Sequence, residues 1–129
     1  MVRILLGVFV VLHGLVHMWY FTLSRGFVDF QSEMGWSGQS WIFTNLVGDS
    51  ATRWLASVMY VMATLALAVS GIAVIIRAVW SRPLLAASAI LSSIIILLFW
   101  DGSLEMAAQK GLLGLLINAA IPVALILLS

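Results

Sequence analysis

Polar positions are so sparse along this chain that its apolar runs stand out as four blocks, each about the length of a membrane-crossing helix, roughly 20 residues. The blocks cover about residues 4–24, 54–76, 83–100 and 112–128, the last with a possible earlier start near Leu104. Charged residues bound them: Arg3 and Arg25 flank the first, Arg53 and Arg77 the second, and Asp101 follows the third. Turn chemistry agrees with these limits. Asp49 or Ser50 is placed to cap the second helix, and Pro83 falls in the first turn of the third, where its missing N–H does no harm. "WDGS" reads as a turn between the third and fourth. The expected fold is therefore all-α: an integral membrane antiparallel four-helix bundle, a single transmembrane domain over 1–129. The first run reads as a retained span, since it is long and no small-x-small cleavage site follows it.

The connection of about 26–52 contains "GWSGQSWIFTNLVGD", too short to span yet rich in Trp36, Trp41, Phe43 and Leu46. That pattern predicts a short amphipathic segment lying at an interface. Trp19, Trp54 and Trp100 fall near the same boundary and Trp80 near the opposite one, as an aromatic belt requires.

Composition narrows the function classes. Hydrophobic residues make up 64% and charged residues 9% of the 129, against about 25% charged in soluble domains. The lipid bilayer is thus the expected medium. With no cysteine, a disulfide, a thiolate metal site or an iron–sulfur cluster is excluded. A net charge of +1 gives no reason to expect nucleic acid. Four spans put both termini on one side with Arg3, Arg77 and Arg82. The other side carries Arg25, Arg53 and Lys110 with all five acids, Asp29, Glu33, Asp49, Asp101 and Glu105. The terminal amine and the Arg77/Arg82 pair tip the expected orientation toward termini in the cytoplasm, in the cytoplasmic (inner) membrane. The acids read as solvated loop charges. Asp101, at the boundary, is placed to cap the fourth helix or to pair with Arg53 or Arg25.

Two imidazoles interrupt the first run, in "VLHGLVHMWY". His13 and His17 are one helical turn apart and share a face that Tyr20 and Ser24 continue. The other helices carry polar groups to a similar depth: Ser57, Tyr60 and Thr64; Ser88, Ser92 and Ser93; and Asn118, whose carbonyl Pro122 leaves free. Small-xxx-small pairs at Ala66/Ser70, Ser88/Ser92, Ala89/Ser93 and Ala107/Gly111 permit close helix approach. Ionisable residues inside spans mark functional sites by default. A candidate ligand pocket therefore comprises His13, His17, Tyr20, Tyr60, Thr64, Ser92 and Asn118. The contrasting reading is structural, with neutral imidazoles hydrogen-bonded across helices.

Several uses of the pocket compete. An i,i+4 histidine pair supplies two ligands to a transition metal, with Asp101 as a further candidate, but a closed site needs more. Glu105, Met18 and Met59 complete that list. A quinone needs a greasy slot with a few polar points, and His17, Tyr60 or Asn118 would serve its carbonyls. Proton relay is open to a histidine as well. Haem is disfavoured, because both histidines lie on one helix. No nucleophile–base set, phosphate loop, HExxH or paired carboxylate is present, and too little chain lies outside the spans for a catalytic domain. The sequence thus points to a non-catalytic accessory subunit or small-ligand binder, with a membrane-protein partner or homo-oligomer. The alternatives are a quinone- or metal-binding oxidoreductase subunit and a purely structural bundle.

The opening "RILLGVFVVLHGLVHMWYF", the stretch "LASVMYVMATLALAVSGIAVIIR" and the terminal "LLGLLINAAIPVALILL" resemble the small bacterial and archaeal DoxX-like proteins, including an Arg3-x-x-x-Gly7 start. The resemblance implies a four-helix membrane protein and, for some relatives, membership in quinone-linked respiratory complexes. That family often carries lysine where His17 stands, so no catalytic residue carries over.

Overall fold

A computed structural model of the chain describes residues 1–27, 39–100, 102 and 112–127. Asp29, Glu33, Trp36, Asp101, Glu105, Met106 and Lys110 lie outside these residues, as does the Ala107/Gly111 pair. The described residues are helical in four elements: α1 Val2–Ser24, α2 Phe43–Ile75, α3 Ser81–Leu98 and α4 Leu113–Leu127. Three of them, α1 to α3, are long and apolar enough to cross a membrane. The fourth has 15 residues and contains Pro122, so it measures about 22 Å at ~1.5 Å per residue.

In α1 the buried positions are Gly7, Val10, His13, Gly14, His17, Tyr20, Leu23 and Ser24. Steps of three and four keep them on one stripe. The helix stops where Gly26 takes a positive φ of 70°. There Gly26 N–H donates to the Leu23 carbonyl (3.2 Å) and Phe27 N–H to the Thr22 carbonyl (3.1 Å), the paired bonds of a Schellman motif. α2 ends in the same way, with Arg77 N–H on Val74 O (3.3 Å) and Ala78 N–H on Ala73 O (3.0 Å). Here an arginine, φ 63°, occupies the left-handed position usually given to glycine.

The second helix begins well before residue 54. It includes Phe43 and carries a break at Gly48 (φ 85°, ψ 172°). Thus Phe43, Leu46 and Val47 of the connection lie in a short helical stretch ahead of Gly48, and the chain re-enters the helix after it. Neither Asp49 nor Ser50 supplies the expected cap. Ser40 serves the start instead: its Oγ accepts from the N–H groups of Ile42 (3.3 Å) and Phe43 (3.1 Å), and its own N–H donates to Thr44 Oγ1 (2.8 Å). These reciprocal bonds satisfy donors that a helix start leaves orphaned. α3 starts at Ser81, with Pro83 in its first turn as the sequence predicts.

α1 and α2 meet at glycines. A Cβ on Gly71 would lie 2.6 Å from the Gly7 carbonyl oxygen, and one on Gly14 would lie 2.9 Å from Leu67 Cβ. Hydrogen is the only substituent those contacts accept. Two apolar clusters then form the core. Tyr20, Leu23, Ala56, Tyr60, Ala63, Ile95 and Phe99 make one; Val10, Leu67, Val74, Leu85 and Ile121 make the other. On α1 and α3 the polar residues sit between them: His13 and His17 between Val10 and Tyr20, Ser88 and Ser92 between Leu85 and Ile95. Outward positions are the reverse of a soluble protein's. Leu5, Leu12, Leu15, Trp54, Leu65, Ile72, Ile90 and Leu116 are each at least half exposed, a coating far beyond the scattered apolar residues of a water-facing surface.

Candidate functional site

The polar layer is built from three helices. Both histidines are buried in the bundle, His13 at 6% and His17 at 1% exposure, with Ser92 and Asn118 beside them. Their position on the inward stripe of α1 follows from the four-residue spacing. The same face carries Gly7 and Gly14, which hold that stripe against α2.

Four hydrogen bonds connect these groups into a closed circuit. His13 Nε2 lies 2.7 Å from Asn118 Oδ1. Asn118 Nδ2 donates to Ser92 Oγ at 2.9 Å and to Ser93 Oγ at 3.2 Å. Ser92 Oγ lies 2.6 Å from His17 Nε2, and His17 Nδ1 lies 3.2 Å from the His13 carbonyl.

Donor and acceptor counting fixes the direction. A carbonyl only accepts, so His17 Nδ1 carries a hydrogen, and a neutral His17 then accepts at Nε2 from the Ser92 hydroxyl. Ser92 in turn accepts from Asn118. The amide oxygen of Asn118 accepts from His13 Nε2–H. With both imidazoles neutral, every bond in the circuit has one donor and one acceptor. Such satisfaction is what a buried polar group requires to avoid its desolvation penalty.

The remaining candidates take different places. Thr64 does not join the circuit. Its hydroxyl faces the carbonyls of Gly14 and Tyr60, each at 3.0 Å, on the α1–α2 seam. Tyr60 and Tyr20 pack against each other with tilted rings, centroids 5.2 Å apart, next to His17 at 6.4 and 6.5 Å. Phe99 and Phe43 extend this column of rings toward the end of the bundle, Tyr60 to Phe99 at 5.9 Å and Phe99 to Phe43 at 5.4 Å. The candidate metal ligand Asp101 lies outside the described residues. Among those residues no three His, Cys, Asp or Glu side chains come together to hold a metal ion. Ser70 and Ser88 bond at 2.7 Å and share the Ala66 carbonyl, which ties α2 to α3 separately.

Two features escaped the sequence reading. One is the glycine seam at positions 7, 14 and 71, whose signal was the seven-residue interval on α1. The other is the anchoring of the segment before α2. Trp41 N–H donates to Trp100 O (2.7 Å), Trp41 Nε1 to Leu97 O (2.6 Å), and Ser40 Oγ to Leu98 O. Two of these bonds take up carbonyls, of Leu97 and Leu98, that the C-terminal end of α3 leaves without helical partners, and the third falls on Trp100 just beyond it. No short-range pattern announces a bond between residues 56 positions apart, as Trp41 and Leu97 are.

Compared with known protein families, curated proteins and solved structures, the chain matches none.

Proposed function

We propose that this chain is a multi-pass protein of the cytoplasmic membrane and serves as a non-catalytic subunit. In this reading it is an antiparallel four-helix bundle whose histidine circuit fixes how α1, α3 and α4 meet. The single observation that carries the reading is the circuit itself. Both nitrogens of His17 and Nε2 of His13 are committed to protein partners, which favours a register-setting role over metal ligation. A buried polar group fixing one arrangement of helices is the best-attested use of such elements.

The antiparallel arrangement is supported by paired contacts that run in opposite sequence directions, Gly7 with Gly71, Gly14 with Leu67, and Tyr20 with Tyr60. Insertion is supported by three helices of spanning length and by their apolar outward faces. Arg3, Arg77 and Arg82, on the side where α1 begins, α2 ends and α3 begins, favour a cytoplasmic location for that side. Kinship with DoxX-like proteins belongs to the same proposal. Gly7, from the Arg3-x-x-x-Gly7 start, gains a packing role at the α1–α2 seam.

The test is made on full-length protein purified from membranes. Alkaline carbonate washing is expected to leave it in the membrane fraction, and solvent extraction with metal analysis to find no stoichiometric quinone or transition metal. His17→Leu is expected to lower thermal stability without changing either analysis. A stoichiometric quinone or metal that disappears in His17→Leu overturns the subunit reading in favour of an oxidoreductase component.

A further inference from the structure

At the end of the bundle opposite the aromatic column, α3 and α4 part to leave a cleft of about 140 Å³ lined by Arg82, Ala86, Pro122 and Ile126. Three of its four walls are apolar. The fourth is a permanent cation, exposed at the start of α3. No hydrogen bond or ion pair to a described residue engages the Arg82 guanidinium. Pro122 lines the opposite wall, and its ring removes one helical N–H from α4.

Among side chains the surroundings are one-sided in charge: Arg3 and Arg77 accompany Arg82 at this end, and residues 1–28, 54–100 and 112–129 contain no Asp or Glu. Trp80, half exposed just before α3, adds an amphipathic ring of the kind that settles at headgroup level.

We infer that the α3–α4 cleft binds an anionic phospholipid, with an acyl chain against Ala86, Pro122 and Ile126 and the phosphate on Arg82. The inference rests on the membrane reading above. A free anion would be served by Arg82 but has no use for the apolar walls. A zwitterionic lipid fills the walls but brings its own cation to a site that already has one. Only a lipid with net negative charge uses both halves, as basic pockets between membrane helices do for anionic headgroups.

Native mass spectrometry of the detergent-solubilised full chain tests this, with phosphatidylglycerol and phosphatidylcholine of matched acyl chains. Phosphatidylglycerol is expected to be retained preferentially. Arg82→Gln is expected to weaken that retention about fivefold, the loss of one interfacial arginine contact. Ala86→Phe, which fills the cleft, is expected to weaken it comparably, and Arg25→Gln at the far end to leave it unchanged. Arg82 is exposed, so its variant folds, and melting curves check Ala86→Phe. Equal retention of the two lipids, no effect of Arg82→Gln, or an effect of Arg82→Gln without one in a folded Ala86→Phe overturns the site. Displacement of the lipid by soluble glycerol phosphate also overturns it, in favour of a free-phosphate site. Loss of carbonate-resistant membrane association in the same preparation brings down the membrane reading itself. Association without lipid preference brings down this inference alone.

Discussion

His13 Nε2 and Asn118 Oδ1 lie 2.7 Å apart although 105 positions separate them in the chain. The bond joins α1 to α4, and both partners are also tied to α3 through Ser92, directly for Asn118 and by way of His17 for His13. Removing Asn118 therefore strands groups on two other helices. Asn118→Leu leaves His13 Nε2–H without its acceptor and Ser92 without its incoming donor. A cost of about 1–3 kcal/mol is expected, the penalty of an unsatisfied buried group. Reversible unfolding in mixed detergent measures it. The double variant His13→Leu/Asn118→Leu should recover part of the loss. Strictly additive losses would mean that the two residues do not work as a unit.

The glycine seam makes a graded prediction. A methyl group on Gly71 meets the Gly7 carbonyl at 2.6 Å, whereas one on Gly14 meets Leu67 Cβ at 2.9 Å and the Thr64 carbonyl at 3.2 Å. Both Gly71→Ala and Gly14→Ala overpack the interface, at about 1–3 kcal/mol each, with Gly71→Ala the worse. Thermal unfolding of the two variants gives the order. If either alanine raised stability, as helix propensity alone would have it, the close approach of α1 and α2 would be disproved.

Apolar run length and flanking charge locate the four helices, and the four-residue spacing places His13 and His17 on one face, because burial and sequence spacing are linked by the helix repeat. Reading the other helices to the same depth names Ser92 and Asn118 beside them. What spacing could not supply was rotation between helices. Thr64 shares its depth with the histidines yet turns to the carbonyls of Gly14 and Tyr60, and nothing local distinguishes it from Ser92. The region before the second span divides in a similar way. Asp49 does stand at a boundary, since the helix is broken at Gly48 immediately before it. What spacing does not announce is the short helical stretch from Phe43 ahead of that break, secured by Ser40 and by bonds to the end of α3. Those bonds are long-range and carry no local signal.

Arg77 pays a conformational cost that a single substitution should relieve. At φ 63° it holds the left-handed C-terminal position of α2 with a full side chain, a conformation unfavourable by roughly 1–2 kcal/mol for a residue with a Cβ. Arg77→Gly keeps the closing bonds to Val74 and Ala73 and removes the steric conflict. A gain of about 1 kcal/mol is expected after the entropy of glycine in the unfolded chain is set against it. Unfolding measurements on Arg77→Gly and Arg77→Ala separate the causes: alanine retains the Cβ and should give no gain. An equal gain from both would assign the effect to charge.

The segment before α2 is secured chiefly by bonds to the C-terminal end of α3 and to Trp100 just beyond it, so its local stability is separable from that of the bundle. Trp41 contributes two of them, its N–H to Trp100 O and its indole Nε1 to Leu97 O. Trp41→Phe keeps an aromatic ring and deletes only the indole donor. Because Trp41 is more than half exposed, the loss of one hydrogen bond, about 0.5–1.5 kcal/mol, should fall on this segment and leave the histidine circuit intact. Hydrogen–deuterium exchange checks the separation. Faster exchange of the Trp41 and Phe43 amides is expected, with His17 and Thr64 unchanged and the melting temperature nearly so. If exchange accelerated equally at His17 and Thr64, the segment would be an integral part of the bundle's cooperative core, and its docking on α3 would hold the polar layer together from outside.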